Sequence, residues 1–201
     1  MQLTTVYFIR HAESDYSVRD EVARPLTQKG LADCRFVTEF LSDKSINAVL
    51  SSPFRRAVDT VSDFAQRNKL KTEIIENFKE HKWGDEWLSQ PDFFTLIERQ
   101  WADFDYKLYG GESLSEVQIR NIAALRQALA KYNGKNIAIG THATALSTII
   151  NYYDNTYGYK DFMAIVDLMP WAVKMSFDGE NCREIEKINL FVKRKVFLKH
   201  V

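Results

Sequence analysis

Residues 6–9, Val-Tyr-Phe-Ile, form an apolar run in which polar and apolar positions do not alternate. A strand with one wet face alternates, whereas a strand apolar on both sides needs cover on both faces, as inner strands of largely parallel sheets have. The run therefore predicts a buried strand over residues 4–9. It stops at Arg10, His11, Glu13 and Ser14, so charged and hydrogen-bonding groups stand where the strand ends.

The rest of the chain keeps this rhythm. Leu31, Cys34, Val37, Phe40 and Leu41 recur at helical spacing after Thr27, a fitting N-cap, and predict a helix over residues 27–43. A short strand from Ile46 leads to Ser52 and Pro53, read as the cap and first position of a second helix with Ala57, Val61, Phe64 and Ala65 on one side. A third strand candidate starts at Lys71. Ser113 and Glu116 form a capping-box pattern opening a helix that closes at Asn133-Gly134. Residues 136–141 predict a buried strand, and Leu146, Ile149, Ile150 and Tyr153 mark the next helix. Two strands turning at Asp178-Gly179 complete the tail, giving an antiparallel edge. The expected fold class is α/β, a largely parallel sheet covered by helices on both faces.

Residues 83–109 break the rhythm, holding Trp83, Trp87, Trp101, Phe93, Phe94, Phe104, Tyr106 and Tyr109. They read as a part-helical insertion within a single domain spanning residues 1–201. Two uses suit it: a small helical insertion with its own core, or a lid whose rings favour a bulky leaving group. In the second, Asp85, Glu86, Asp92, Asp103 and Asp105 would disfavour strongly anionic substrates.

Lysine plus arginine and aspartate plus glutamate both number 27, so no basic surplus argues for nucleic acid or anionic membrane as a partner. The opening residues lack a signal-peptide layout and no apolar run reaches membrane-spanning length, so a cytoplasmic protein is expected. Cys34 and Cys182 stand far apart and read as reduced core thiols. Nothing in the sequence fixes the oligomeric state.

Ligands of open α/β sheets gather at the carboxyl ends of the strands, beside helix N-termini. Three strand ends here carry unusual residues: Arg10 and His11, then Arg55 and Arg56 in the following helix, then Thr141 and His142. Arginine forks and helix N-termini suit phosphate oxygens, and a neutral imidazole is a competent nucleophile toward phosphorus. Crowding by arginines disfavours the imidazolium. A carboxylic acid must then protonate the leaving oxygen and later deprotonate water, with Glu80 the first candidate and Glu13 the second. Two histidines and a carboxylate also bind metals in other folds, but converging arginines repel a divalent cation and no local ligand spacing is present, so neither metal nor cofactor is expected. Glu112 precedes the Ser113 cap and suits the helix dipole. His81 and His200 suggest no role.

The ordered segments FIRHAES, SSPFRRAVDT, the Glu80 region, GGESLSE and GTHA resemble the histidine phosphatase superfamily, also called the phosphoglycerate mutase-like fold. The resemblance implies a three-layer α/β/α sandwich and a transiently phosphorylated histidine. Carried over residue by residue, it makes His11 the nucleophile and Glu80 the acid/base. Arg10, Arg56 and His142 become the phosphate pocket, with Ser14, Ser17 and the Ala143 backbone N–H as further contacts. The usual glycines are Ala12 and Ala143, and a frequent asparagine is Ser17; an ordinary backbone is expected at Ala12. The function implied is metal-independent hydrolysis of a phosphomonoester, either a small molecule or a phosphoprotein. A phosphoglycerate mutase-type transferase and a non-catalytic phosphate-binding domain are the two alternatives.

Overall fold

The computed structural model describes residues 2–85 and 89–192. Six strands, β1 (Thr4–Arg10), β2 (Ala48–Ser51), β3 (Thr72–Ile74), β4 (Asn136–Thr141), β5 (Trp171–Asp178) and β6 (Asn181–Ile188), form one sheet in the order β3-β2-β4-β1-β5-β6. The first four in that order are parallel; β5 runs antiparallel to β1, and β6 antiparallel to β5.

The apolar run in β1 feeds two cores. Val6 and Phe8 join Leu50, Ile137, Ile139, Val173 and Met175 on one face, under helices α4 (Leu114–Lys131), α5 (Ala143–Tyr153) and α6 (Tyr159–Ile165). Tyr7 and Ile9 join Val49 and Ala138 on the other, under α1 (Gln28–Leu41) and α2 (Arg55–Arg67). Each face thus takes alternate residues of the same strand, and three layers result.

Local signals set most helix ends. Thr27 Oγ1 accepts the Gly30 N–H at the start of α1, and Ser113 with Glu116 forms both bonds of the capping box on α4. The second helix differs from expectation: α2 begins at Arg55, with Phe54 as its N-cap. Ser52 Oγ does accept the Phe54 N–H, at 3.2 Å, but its hydroxyl also faces His142, so the turn it stabilises lies ahead of the helix. Helix α6 spans seven residues, too short for a readable period, and its start is held by Asp161, which accepts the Gly158 N–H at 3.1 Å.

In the aromatic segment, α3 (Gln90–Ala102) is the regular element. Trp83, Phe93 and Trp101 pack against the main core, Trp101 meeting Tyr157 and Phe162. Trp87 and Glu86 lie outside the described residues, as does His200. Among the described residues, no helix is long and apolar enough to cross a membrane.

Candidate active site

The parallel strands bring their carboxyl ends to one side of the sheet, and the site is built there. Paired Arg10 and Thr141 end β1 and β4, and the His11 N–H extends the pairing by donating to Thr141 O at 3.0 Å. This places His11 beside His142, the N-cap of α5; their ring centroids are 5.3 Å apart. His142 is fully buried, and Arg10, His11, Ser14, Arg24 and Arg56 nearly so.

His11 has one ring nitrogen held and the other left open. Its Nδ1 lies 2.7 Å from Ala12 O, so Nδ1 carries the proton and Nε2 keeps its lone pair. Ala12 is anchored in turn, its N–H donating to Thr60 Oγ1 at 3.0 Å. Among the described residues only Ser45 and Lys69 combine a side chain with positive φ, so alanine is unstrained at position 12, as expected. Burial pushes the His11 imidazole well below its ordinary pKa, and Arg56 and Arg10 push it further. The arginines act in the direction the sequence suggests, but desolvation is the larger cause.

His142 is neutral for the same reasons, burial first and Arg56 second. Ser52 faces one of its ring nitrogens. The Ser52 oxygen accepts from Phe54, and its O–H is available to donate to His142 Nε2 at 2.7 Å, the arrangement in which the ring proton sits on Nδ1. That Nδ1 is buried without a partner, and so are Arg10 Nε and Ser14 Oγ. Buried donors without acceptors are costly, and three of them among the His11 neighbours suit an anion.

The arginines are less free than the sequence suggests. Arg10 Nη1 donates to Ile165 O and to Leu168 O (3.1 Å), and Nη2 to Val166 O (2.8 Å). Its fork therefore ties the carboxyl end of α6 to β1, leaving charge, the Nε–H and one Nη2–H for a ligand. Arg56 Nη1 donates to Glu21 O at 2.6 Å and Nη2 to Glu21 Oε2 at 3.1 Å. Glu21 Oε1 in turn accepts from Arg24 Nη2 at 2.6 Å.

Arg24 and Glu21 escape sequence reasoning. They lie between β1 and α1, where no hydrophobic period betrays which side chains turn inward. Ser14 pairs with Leu26, and the Asp15 N–H donates to Pro25 O, folding this loop back on itself. The Arg-Pro-Leu sequence at 24–26 is the one usable signal: Leu26, an apolar residue in a polar loop, is buried, and so is Arg24 two residues before it.

Glu80 is set apart from Glu13 by its partners. It accepts N–H bonds from His81 (2.8 Å), Thr144 (3.2 Å) and Ala145 (3.1 Å), the last two from the first turn of α5. Burial raises its carboxyl pKa against these bonds and against Arg56, the direction a general acid needs. Glu13 accepts from Thr27 Oγ1 at 2.8 Å and meets Lys29 at 3.3 Å, and these contacts hold its carboxyl below the ordinary range. Ser17 is exposed, its hydroxyl donating to Asp15 at 2.7 Å, away from the buried set. Arg55 is surface-facing and pairs with Asp59. Ala143 opens α5, where a backbone N–H has no intrahelical acceptor.

A neutral imidazole with an open ring nitrogen, buried cations around it and a carboxyl of raised pKa at a helix N-terminus together have the chemistry that phosphoryl transfer uses. The sequence matches the histidine phosphatase superfamily (branch 1) over residues 6–165, and the chain belongs to that family. It is 25% identical over 152 residues to the uncharacterized phosphatase PhoE of Bacillus subtilis, covering 74% of this chain and 76% of that protein. It is 27% identical over 156 residues to the probable phosphoglycerate mutase GpmB of Salmonella choleraesuis, covering 73% of each. A mycobacterial glucosyl-3-phosphoglycerate phosphatase shares the fold with a TM-score of 0.76 at 17% identity, over 93% of this chain and 99% of that one.

Proposed function

We propose that this chain is a metal-independent phosphomonoesterase working through a phosphohistidine. His11 Nε2 attacks phosphorus in line and the ester P–O bond breaks as the N–P bond forms. Glu80 gives its proton to the departing oxygen. The Glu80 carboxylate then takes a proton from water, whose oxygen attacks the phosphohistidine; inorganic phosphate leaves and both residues return to their starting state. Arg56, the Arg10 Nε–H, the His142 Nδ1–H, Ser14 and the Ala143 N–H are assigned to the equatorial oxygens, where charge stabilisation is most of what phosphoryl transfer asks of a protein. Ser17 reaches the phosphate only if its turn with Asp15 opens.

The observation that carries this reading is the His11 ring itself, with Nδ1 bound to a carbonyl and protonation disfavoured by burial and two arginines. Those arginines also oppose a divalent cation at the same place. The substrate class is a phosphomonoester, small molecule or phosphoprotein, met in the cytoplasm. The likeness to a probable mutase supports a second reading, in which a second hydroxyl replaces water.

The test is p-nitrophenol release from its phosphate ester by wild type, His11→Ala and Glu80→Gln, with excess EDTA throughout. Turnover in EDTA is expected, abolished in His11→Ala and slowed by ~10²–10⁴-fold in Glu80→Gln, where loss of the base slows water attack on the phosphoenzyme although p-nitrophenolate leaves with little protonation. An acid-labile, alkali-stable phosphoenzyme should form on wild type and on Glu80→Gln but not on His11→Ala. Activity lost to EDTA, or retained by His11→Ala, overturns the reading; phosphoryl return to an acceptor only after bisphosphoglycerate priming selects the mutase.

A further inference from the structure

Glu80 sits on a stretch without helix or strand, after the 3-10 turn at Glu76–Phe78. An acid that must meet a leaving oxygen within a fraction of an ångström needs its main chain held, and the Arg120 side chain grips this one at three carbonyls. Arg120 Nη1 donates to Lys79 O at 2.7 Å and to Asn77 O at 3.1 Å, and Nη2 donates to Glu80 O at 3.0 Å. The same guanidinium is gripped by Glu112, Nε to Oε1 at 2.8 Å and Nη2 to Oε2 at 2.8 Å. The pair is bidentate and largely buried, the two side chains being 12% and 21% exposed.

Glu112 also holds the far side of the acid. Its Oε2 accepts the Lys82 N–H at 3.0 Å, its own N–H donates to Lys82 O at 2.7 Å, and its carbonyl accepts from His81 Nε2 at 2.6 Å. Gly111 makes this approach feasible: a Cβ there would lie 2.7 Å from Trp83 O. Carbonyls at 77, 79 and 80 and the amide at 82 are thus fixed by one ion pair between α4 and the GGES segment.

We propose that Arg120 and Glu112 are positioning residues for Glu80, aligning its carboxyl with the leaving-group oxygen. The proposal rests on Glu80 being the general acid. Removing the clamp leaves His11 and its pocket in place but lets the acid wander, so the loss should depend on how much proton the leaving group requires.

The test compares kcat/KM on phenyl phosphate and on p-nitrophenyl phosphate, whose nitro group lets the phenolate depart with little protonation. This parameter reports steps up to phosphoenzyme formation, so water attack does not obscure it. Arg120→Met should lose ~10–100-fold on phenyl phosphate and under about 3-fold on p-nitrophenyl phosphate, the pattern of a misplaced general acid. Arg120→Lys should not restore the loss, because an ammonium cannot reproduce the fork. Glu112→Gln, which keeps Arg120 on its carbonyls, should show the same selectivity more weakly and serves if Arg120→Met does not fold; unfolding midpoints identify that case. Equal losses on both substrates in folded variants would reduce the pair to scaffold and overturn the proposal. Glu80→Gln separates the two levels: leaving-group-selective loss there with uniform loss at Arg120 defeats the clamp alone. Uniform loss in Glu80→Gln itself removes the general acid, and the clamp's purpose with it.

Discussion

Gly30 packs directly against Glu13: a Cβ built on Gly30 would stand 2.1 Å from the Glu13 carbonyl oxygen and 3.0 Å from its carbon. Glycine inside a helix ordinarily costs about 0.5–1 kcal/mol relative to alanine. Here it lets the chain that leaves His11 lie on α1, where Glu13 O accepts the Thr27 N–H at 3.0 Å. Gly30→Ala therefore carries two opposite expectations. Helix propensity alone predicts a gain; the clash predicts a loss of about 1–3 kcal/mol, as for overpacked sites. We expect the loss in urea unfolding, with reduced turnover because Glu13 is two residues from His11, the proposed nucleophile. A stabilised variant would show that the loop moves aside freely.

Glu21 is the anion that Arg56 and Arg24 share, and a phosphoryl group on Arg56 must compete with it or sit beside it. The Glu21 side chain is 45% exposed, so water already weakens its hold. Glu21→Gln removes one negative charge from the neighbourhood of a dianion while keeping an oxygen for the arginines. We expect inorganic phosphate to inhibit this variant about 3- to 10-fold more tightly, the range of a partly exposed charge pair, and the gain to shrink as salt is raised. The inhibition constant measured at two ionic strengths decides it. Weaker inhibition would mean that the carboxylate is needed to aim Arg56 and does not act as a competitor.

What the sequence reveals and hides follows from the range of the interactions. The β1 run, the Arg10-His11 pair and the Ser113–Glu116 capping box are legible because each is decided by residues within one turn or one strand. His11 and His142 become neighbours through strand pairing, which the rhythm of elements implies without stating the distance. Arg10 shows the limit: its fork is satisfied 155 to 158 residues away, at the end of a helix the sequence does not announce. Ser52 reads as a helix cap by local rule and is instead drawn to His142, 90 residues on. Glu112 reads as a dipole residue at a helix start, and only the tertiary fold brings Arg120 and the Glu80 carbonyl to it.

The buried histidines should make the fold sensitive to mild acid. His81 is 4% exposed, donates from Nε2 to Glu112 O, and keeps an unpartnered Nδ1 in the interior, beside Trp83. Burial lowers its pKa from 6.5 to about 4, and His11 and His142 are lowered as well. The unfolded chain takes up these protons near pH 6.5 while the folded chain refuses them, so stability falls as pH drops through the unfolded value and keeps falling to the folded one. Each histidine contributes a slope of about 1.4 kcal/mol per pH unit, so His81 alone costs roughly 2 kcal/mol between pH 6.5 and 5. Glu80 has the opposite sign, since its raised pKa favours the folded state in acid, with an effect that fades as pH rises. Glu73 and Glu112, whose pKa values are lowered, begin to weigh against the fold only below their ordinary range near 4.5. Urea unfolding between pH 7.5 and 5 covers the histidine window, with Glu80 opposing the fall at its acid end. We expect a monotonic fall there, made shallower by His81→Gln; a flat profile would mean that these rings reach solvent in the native state, and that His11 is not kept neutral by burial.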